Sequence, residues 1–171
     1  MTGYKEHITL GILFTVAFFL ILYFAFKIDV LSTNILVPSI ITILIFSLLP
    51  DIDHKESIIS GFLHVVAGMA IIAIIAKAIP LNYASFLTVA FVGYLEYYHW
   101  SYARADRNHR QFPHTFTFGI ISSAVFFFIT LSWVVLIVAF LTFVSHILAD
   151  GYIPKAIQKD KELWQNLFSR N

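Results

Sequence analysis

Two carboxylates and an imidazole fall within four residues in Leu48-Leu49-Pro50-Asp51-Ile52-Asp53-His54. Ligands of this kind suit hard or borderline divalent cations. Further along, His146 and Asp150 are spaced i, i+4, which puts both on one helical face where they can share an ion. An aspartate at a helix C-terminus opposes the macrodipole, and a bound cation would offset that cost. A third group, His109-Arg110-Gln111-Phe112-Pro113-His114, has two histidines on either side of Pro113, so both reach one metal only if the loop turns. Arg110 could hold an anionic group bidentately, while Arg104 and Arg107 read as ordinary basic loop residues. His7 opens the first apolar segment and could reach the same face.

Glu96 precedes His99 by one helical turn and is a candidate general base, or a partner that orients a ligand histidine, or an acid paired with Arg104. His64 and His99 read as packing or interfacial residues. Each motif also has a plainer reading: acids after a proline often cap the following segment, and a polar helix end is often just solvated. Ser122, Ser123 and Ser132 lie in apolar segments with no base nearby, which argues against a serine nucleophile. With no cysteine, disulfides, thiolate metal sites and thiol redox chemistry are excluded.

The elements that would position these groups are apolar. The chain is 59% hydrophobic and 12% charged, against roughly 45–50% and about 25% in soluble domains. A chain of 171 residues cannot bury that much apolar surface in water, and a bilayer resolves the conflict. Its net charge of +1 and lack of a basic run carry no nucleic-acid signal. Spans are expected at His7–Phe26, Ile35–Leu49, Phe62–Ile79 and about Leu81–Tyr98. The first lacks a small-residue cleavage pattern and is read as retained. The second is short, which would leave Asp51, Asp53 and His54 near headgroup level. Thr115 to Asp150 is one apolar run that would make a helix of about 54 Å, too long for one crossing. Its length divides it near Thr130-Leu131-Ser132-Trp133, with Ser132 as the N-cap. The expected fold is therefore an all-α polytopic membrane bundle of about six spans. Residues 1–154 would form the membrane-embedded metal-binding domain. Residues 155–171 would form an amphipathic interfacial tail, with Ile157, Leu163, Trp164, Leu167 and Phe168 near one face.

Six spans put Lys5, Lys55, Arg104, Arg107, Arg110, Lys155, Lys159, Lys161 and Arg170 on one side, against Lys27 and Lys77 on the other. That asymmetry predicts both termini on the cytoplasmic side. All seven histidines fall on the same side, although histidine plays no part in the charge rule. Their gathering favours one polar site where helix ends converge.

Leu-Leu-Pro-Asp-Ile-Asp-His (48–54), His-Arg-x-Phe-x-His (109–114) and Ser-His-Ile-Leu-Ala-Asp (145–150) resemble the YdjM-like family of LexA-regulated, inner-membrane-associated proteins described as metal-dependent hydrolases. The resemblance covers residues 1 to about 154, and His7 looks like that family's N-terminal histidine. Two departures stand out. Gln111, Pro113 and Thr115 replace the family's Gly, Thr and Ser, so the loop between the histidines must turn differently. Tyr152-Ile153-Pro154 only partly matches the segment that usually follows Asp150.

Together the residues and the resemblance imply a metal site of Asp51, Asp53, His54, His109, His114, His146 and Asp150, with His7 added. Such a set could hold two or three divalent ions, Zn²⁺ or Mn²⁺ best. The expected activity is hydrolysis of a phosphoester or other ester of a lipid or lipid-linked substrate, with Arg110 on an anionic group and Glu96 in a catalytic role. A structural membrane protein with a retained metal site and a divalent-cation carrier are the alternatives. A carrier would need ligands through the membrane midplane, where the apolar spans supply none.

Overall fold

The computed structural model describes residues 4–53, 59, 61–62, 64–66, 68–69, 82–103 and 112–169, and these are helical throughout apart from short connections. Six α-helices are complete: α1 (Tyr4–Phe26), α2 (Thr33–Phe46), α3 (Tyr83–Ala103), α4 (Phe116–Thr130), α5 (Trp133–Ala149) and α6 (Ile153–Phe168). Two single 3-10 turns, Leu49–Asp53 and Phe112–His114, carry site residues between them. The expected third span lies mostly outside the described residues.

Helix α5 is the axis of the bundle, packed by α1, α2 and α4. Its buried positions include Val135, Val138, Ala139, Thr142, Phe143 and His146. Helix α1 has the reverse of a soluble pattern. Its buried stripe is His7, Gly11, Thr15 and Leu22, while Leu13, Leu20, Ile21, Phe24 and Phe26 are exposed. Water would reject that outer face, whereas a bilayer accepts it. Among lipids, helices associate by close packing and polar contacts rather than by hiding apolar surface, so small residues belong at the contact. Gly11 fits that role: a Cβ there would lie 2.6 Å from Ser47 Oγ and 2.8 Å from Thr142 Cγ2. Gly119 does the same between α4 and α5, where a Cβ would meet the Phe143 ring at 2.5 Å.

Among the described residues, α1, with 23 residues, is the one helix long and apolar enough to cross a membrane unbroken. Thr33–Phe46 and Phe116–Thr130 are apolar but shorter, and α5 and α6 meet the criterion only as a pair bent by 115°. The all-helical fold is as expected; by length and composition the described helices supply one candidate span, α1, where about six were expected.

Several boundaries follow local chemistry. Ser132 caps α5, its hydroxyl accepting from Val135 N–H at 3.4 Å. The turn before it is made by Leu131 in the left-handed region (φ 52°), whose N–H bonds Phe127 O at 2.6 Å. At the other end of α5, Gly151 (φ 63°) closes a Schellman motif. Tyr152 N–H bonds Ile147 O at 3.0 Å, and Gly151 N–H bonds Leu148 O at 2.9 Å. The chain then turns into α6, an amphipathic helix whose Ile157, Trp164, Leu167 and Phe168 are exposed.

Candidate metal centre

Three elements deliver the site. The Leu49–Asp53 turn brings Asp51, the Phe112–His114 turn brings His114, and the last turn of α5 brings His146, with Asp150 just beyond it. The two 3-10 turns pack against each other. Thr115 secures the second by capping α4: its hydroxyl accepts from Phe118 N–H at 3.2 Å and donates to Phe112 O at 2.8 Å. Pro113 lies within this described 3-10 turn, and Thr115 supplies the N-cap of α4.

His146 is oriented from behind. Its Nδ1 lies 2.6 Å from the carbonyl of Ser47 at the end of α2. A carbonyl only accepts, so Nδ1 donates, and in the neutral ring Nε2 presents a lone pair. That lone pair is buried with no hydrogen bond among the described residues. It faces Asp51 Oδ1 at 3.5 Å and Asp150 Oδ2 at 3.9 Å. His114 Nε2 lies 3.8 Å from Asp51 Oδ1 and 4.0 Å from Asp150 Oδ2. Lone pairs of nitrogen and carboxylate oxygen repel unless a cation lies between them. A proton would draw the atoms to hydrogen-bond distance, roughly 2.7–3.2 Å. Four ligands each about 2.1 Å from a zinc ion would stand roughly 3.4 Å apart. The observed spacings lie nearer the second case, and the four ligand atoms all fall within 4.8 Å of one another.

His7 stacks on His146 with ring centroids 3.9 Å apart, and its Nε2 reaches Asp150 Oδ1 at 3.7 Å. Helix α1 thereby places a fifth candidate ligand against the same carboxylate. Tyr152, folded back by the Gly151 turn, lies edge-on to His114 at 5.5 Å. The site is closed on most sides: His114 and His146 are fully buried and the Asp150 side chain is 5% exposed, but that of Asp51 is 26% exposed. Burial pushes the Asp51 carboxyl upward. Contact with His146 and the charges of His146, His114 and His7 outweigh it, and Asp51 titrates below its ordinary range.

Of the sequence-derived site residues, the structure gathers His7, Asp51, His114, His146 and Asp150. Asp53 ends the first 3-10 turn; its side chain, like His54, His109 and Arg110, lies outside the described residues. Glu96 does not join this cluster. Its Oε2 lies 3.4 Å from His64 Nε2, and one turn on, His99 Nδ1 lies 2.7 Å from Ile52 O. His64 and His99, expected as packing or interfacial residues, each make a polar contact here, to Glu96 and to the Ile52 carbonyl respectively. Asp160 of α6 also escaped sequence reasoning. Its carboxylate accepts from Phe116 N–H at 2.8 Å and Thr117 N–H at 3.0 Å, clamping the first turn of α4 directly after His114. Trp164 Nε1–H adds a bond to Thr117 Oγ1 at 3.2 Å. Nothing local in the sequence points to so distant a cap.

A family model described as YdjM inner membrane protein matches residues 1–159. No curated protein and no solved structure matches the chain.

Proposed function

The chain belongs to the YdjM inner membrane protein family, and from that premise we propose that it is a membrane-bound, metal-dependent hydrolase acting on a phosphoester or other ester of a lipid or lipid-linked substrate. The observation that carries this reading is the convergence of Asp51, His114, His146 and Asp150 within 4.8 Å. Zn²⁺ or Mn²⁺ suits this donor set, and His7 from α1 would complete it. Once bound, the ion would lower the pKa of a coordinated water and stabilise charge developing on the substrate. Around it, the Ser47 carbonyl holds His146 in the tautomer that keeps Nε2 available, and Asp51, charged at neutral pH, supplies negative charge at the open edge. Substrate would approach past Asp51, because the imidazoles and Asp150 are closed off.

The basic-residue asymmetry orients this edge to the cytoplasm, with both termini on that side and the bundle crossing about six times. Arg110 would hold an anionic headgroup there. The exposed apolar face of α6 would lie at the lipid surface, alongside Lys155, Lys159 and Lys161.

The test is elemental analysis of detergent-purified protein beside Asp51→Ala/His146→Ala, followed by a screen of lipid phosphoesters. Bound zinc or manganese lost in the variant, with turnover lost alongside it, supports the reading. Metal binding without turnover on any ester would make the centre structural. A wild-type protein that takes up no metal on titration would end the proposal.

A further inference from the structure

On the far side of the Leu49–Asp53 turn from His146, a second set of cation-binding side chains comes together. Glu96 and His99 are spaced i, i+3 on α3, one turn apart on one face. Helix-bundle metal sites use this Glu-x-x-His spacing to direct a carboxylate and an imidazole at one ion. His64 supplies a third group: its Nε2 lies 3.4 Å from Glu96 Oε2, and its ring stands edge-on to His99 with centroids 5.7 Å apart.

Two details point to a ligand rather than a casual surface pair. His99 Nδ1 lies 2.7 Å from the Ile52 carbonyl, so Nδ1 donates, and in the neutral ring Nε2 keeps its lone pair. The arrangement repeats how Ser47 holds His146. Meanwhile Glu96 Oε1 is buried with no hydrogen bond among the described residues, a costly state for a carboxylate oxygen that a cation would relieve. The His64 side chain is 60% exposed against 22% for Glu96. Ligation of one ion by all three groups requires the His64 ring to turn toward His99.

We propose that His64, Glu96 and His99 form a second divalent-cation site of the two-histidine, one-carboxylate type, open to solvent and separate from the buried centre. A zinc or ferrous ion fits such a set, and both chemistries leave coordination positions for water or substrate. The site is independent of the hydrolase reading, since it shares no ligand with the Asp51–His146 cluster. The Leu49–Asp53 turn lies between them, giving Asp51 to one and the Ile52 carbonyl to the other.

Zinc alone is the probe. Full-length protein in detergent is dialysed against buffered Zn²⁺, and bound metal is counted for wild type, Glu96→Gln, His99→Ala, His64→Ala and Asp51→Ala/His146→Ala. The expected result is loss of one zinc equivalent in each of the three single variants, with that equivalent kept when Asp51 and His146 are replaced. Should Glu96→Gln fail to fold, the exposed His64→Ala carries the test. Wild-type stoichiometry in both Glu96→Gln and His64→Ala overturns the proposal. So does zinc that disappears with His64 but survives replacement of Glu96 and His99, which would mark an adventitious ion only. If the double variant keeps every equivalent, the buried centre fails while the second site still stands or falls on Glu96.

Discussion

The two clusters flanking the Leu49–Asp53 turn use the same materials in opposite settings. Both combine carboxylates with imidazoles, and in both a backbone carbonyl fixes one ring through Nδ1. The His146 cluster sits on the central helix, with His114 and His146 sealed from solvent. The Glu96 cluster sits on α3 and leaves the His64 side chain 60% exposed. Enclosure is the difference. His114, His146 and Asp150, closed off from solvent, cannot relax toward water when one member is lost, so each is coupled to stability as well as to binding. In the second cluster the exposed His64 can rehydrate when a partner is lost, so its replacement tests binding without a large cost to the fold.

Replacing His146 should break that contrast most severely. His146→Ala removes a ligand, strands the Ser47 carbonyl and leaves Asp51 and Asp150 facing each other in a closed space. A stranded buried acceptor alone costs about 1–3 kcal/mol. Metal at the buried centre and ester hydrolysis should vanish, and the thermal midpoint in detergent should fall clearly. An unchanged midpoint would mean that the centre is not coupled to the fold.

Acid should test the Asp51 cluster next. The Asp51 carboxyl titrates below its ordinary 3.8 in the folded protein. Its stabilising contribution is therefore fully present above that value, and is lost as pH falls below it through the folded-state pKa. Asp51→Asn should flatten the acid limb of stability below about pH 4, measured by denaturation across pH.

Gly151→Ala comes third. A Cβ in the left-handed conformation costs roughly 1–2 kcal/mol. The Schellman turn it disturbs carries Tyr152 over His114, so a lower midpoint and weaker metal retention are expected at the buried centre alone. Equal loss at both clusters would argue for general loosening instead.

The smallest effect is expected at the clamp. Asp160→Ala removes an anion from the N-terminus of α4, worth about 0.5–2 kcal/mol for a capping group. Limited proteolysis should cut the tail of this variant faster. Zinc at the His64 site should be unaffected.

What could be read from the sequence was whatever a helix encodes along itself. The i, i+4 pair His146 and Asp150, the Ser132 cap and the outline of α1 all follow from spacing within one segment. The proline-marked turn at Pro50 placed Asp51, and the pattern of Ile157, Trp164 and Phe168 foreshadowed α6. Hidden were the features that depend on which segments meet. Leu131 turns the chain without glycine, so only the length of the apolar run betrayed a break there. Ser47 contributes a main-chain carbonyl, which no side-chain pattern reports. Asp160 caps a helix more than forty residues upstream. His64 and His99, each alone, look like interfacial histidines; their pairing through Glu96 exists only once the segments pack.

The stacking of His7 on His146 has a consequence for how the protein is made. Helix α1 leaves the ribosome early and α5 late, so the contact between them has a long sequence separation and must wait for most of the chain. Until α5 arrives, His7 has neither its stacking partner nor Asp150. A chain interrupted before α5 could insert its first helix and still be unable to assemble the buried centre. Metal occupancy there would then report completed biogenesis.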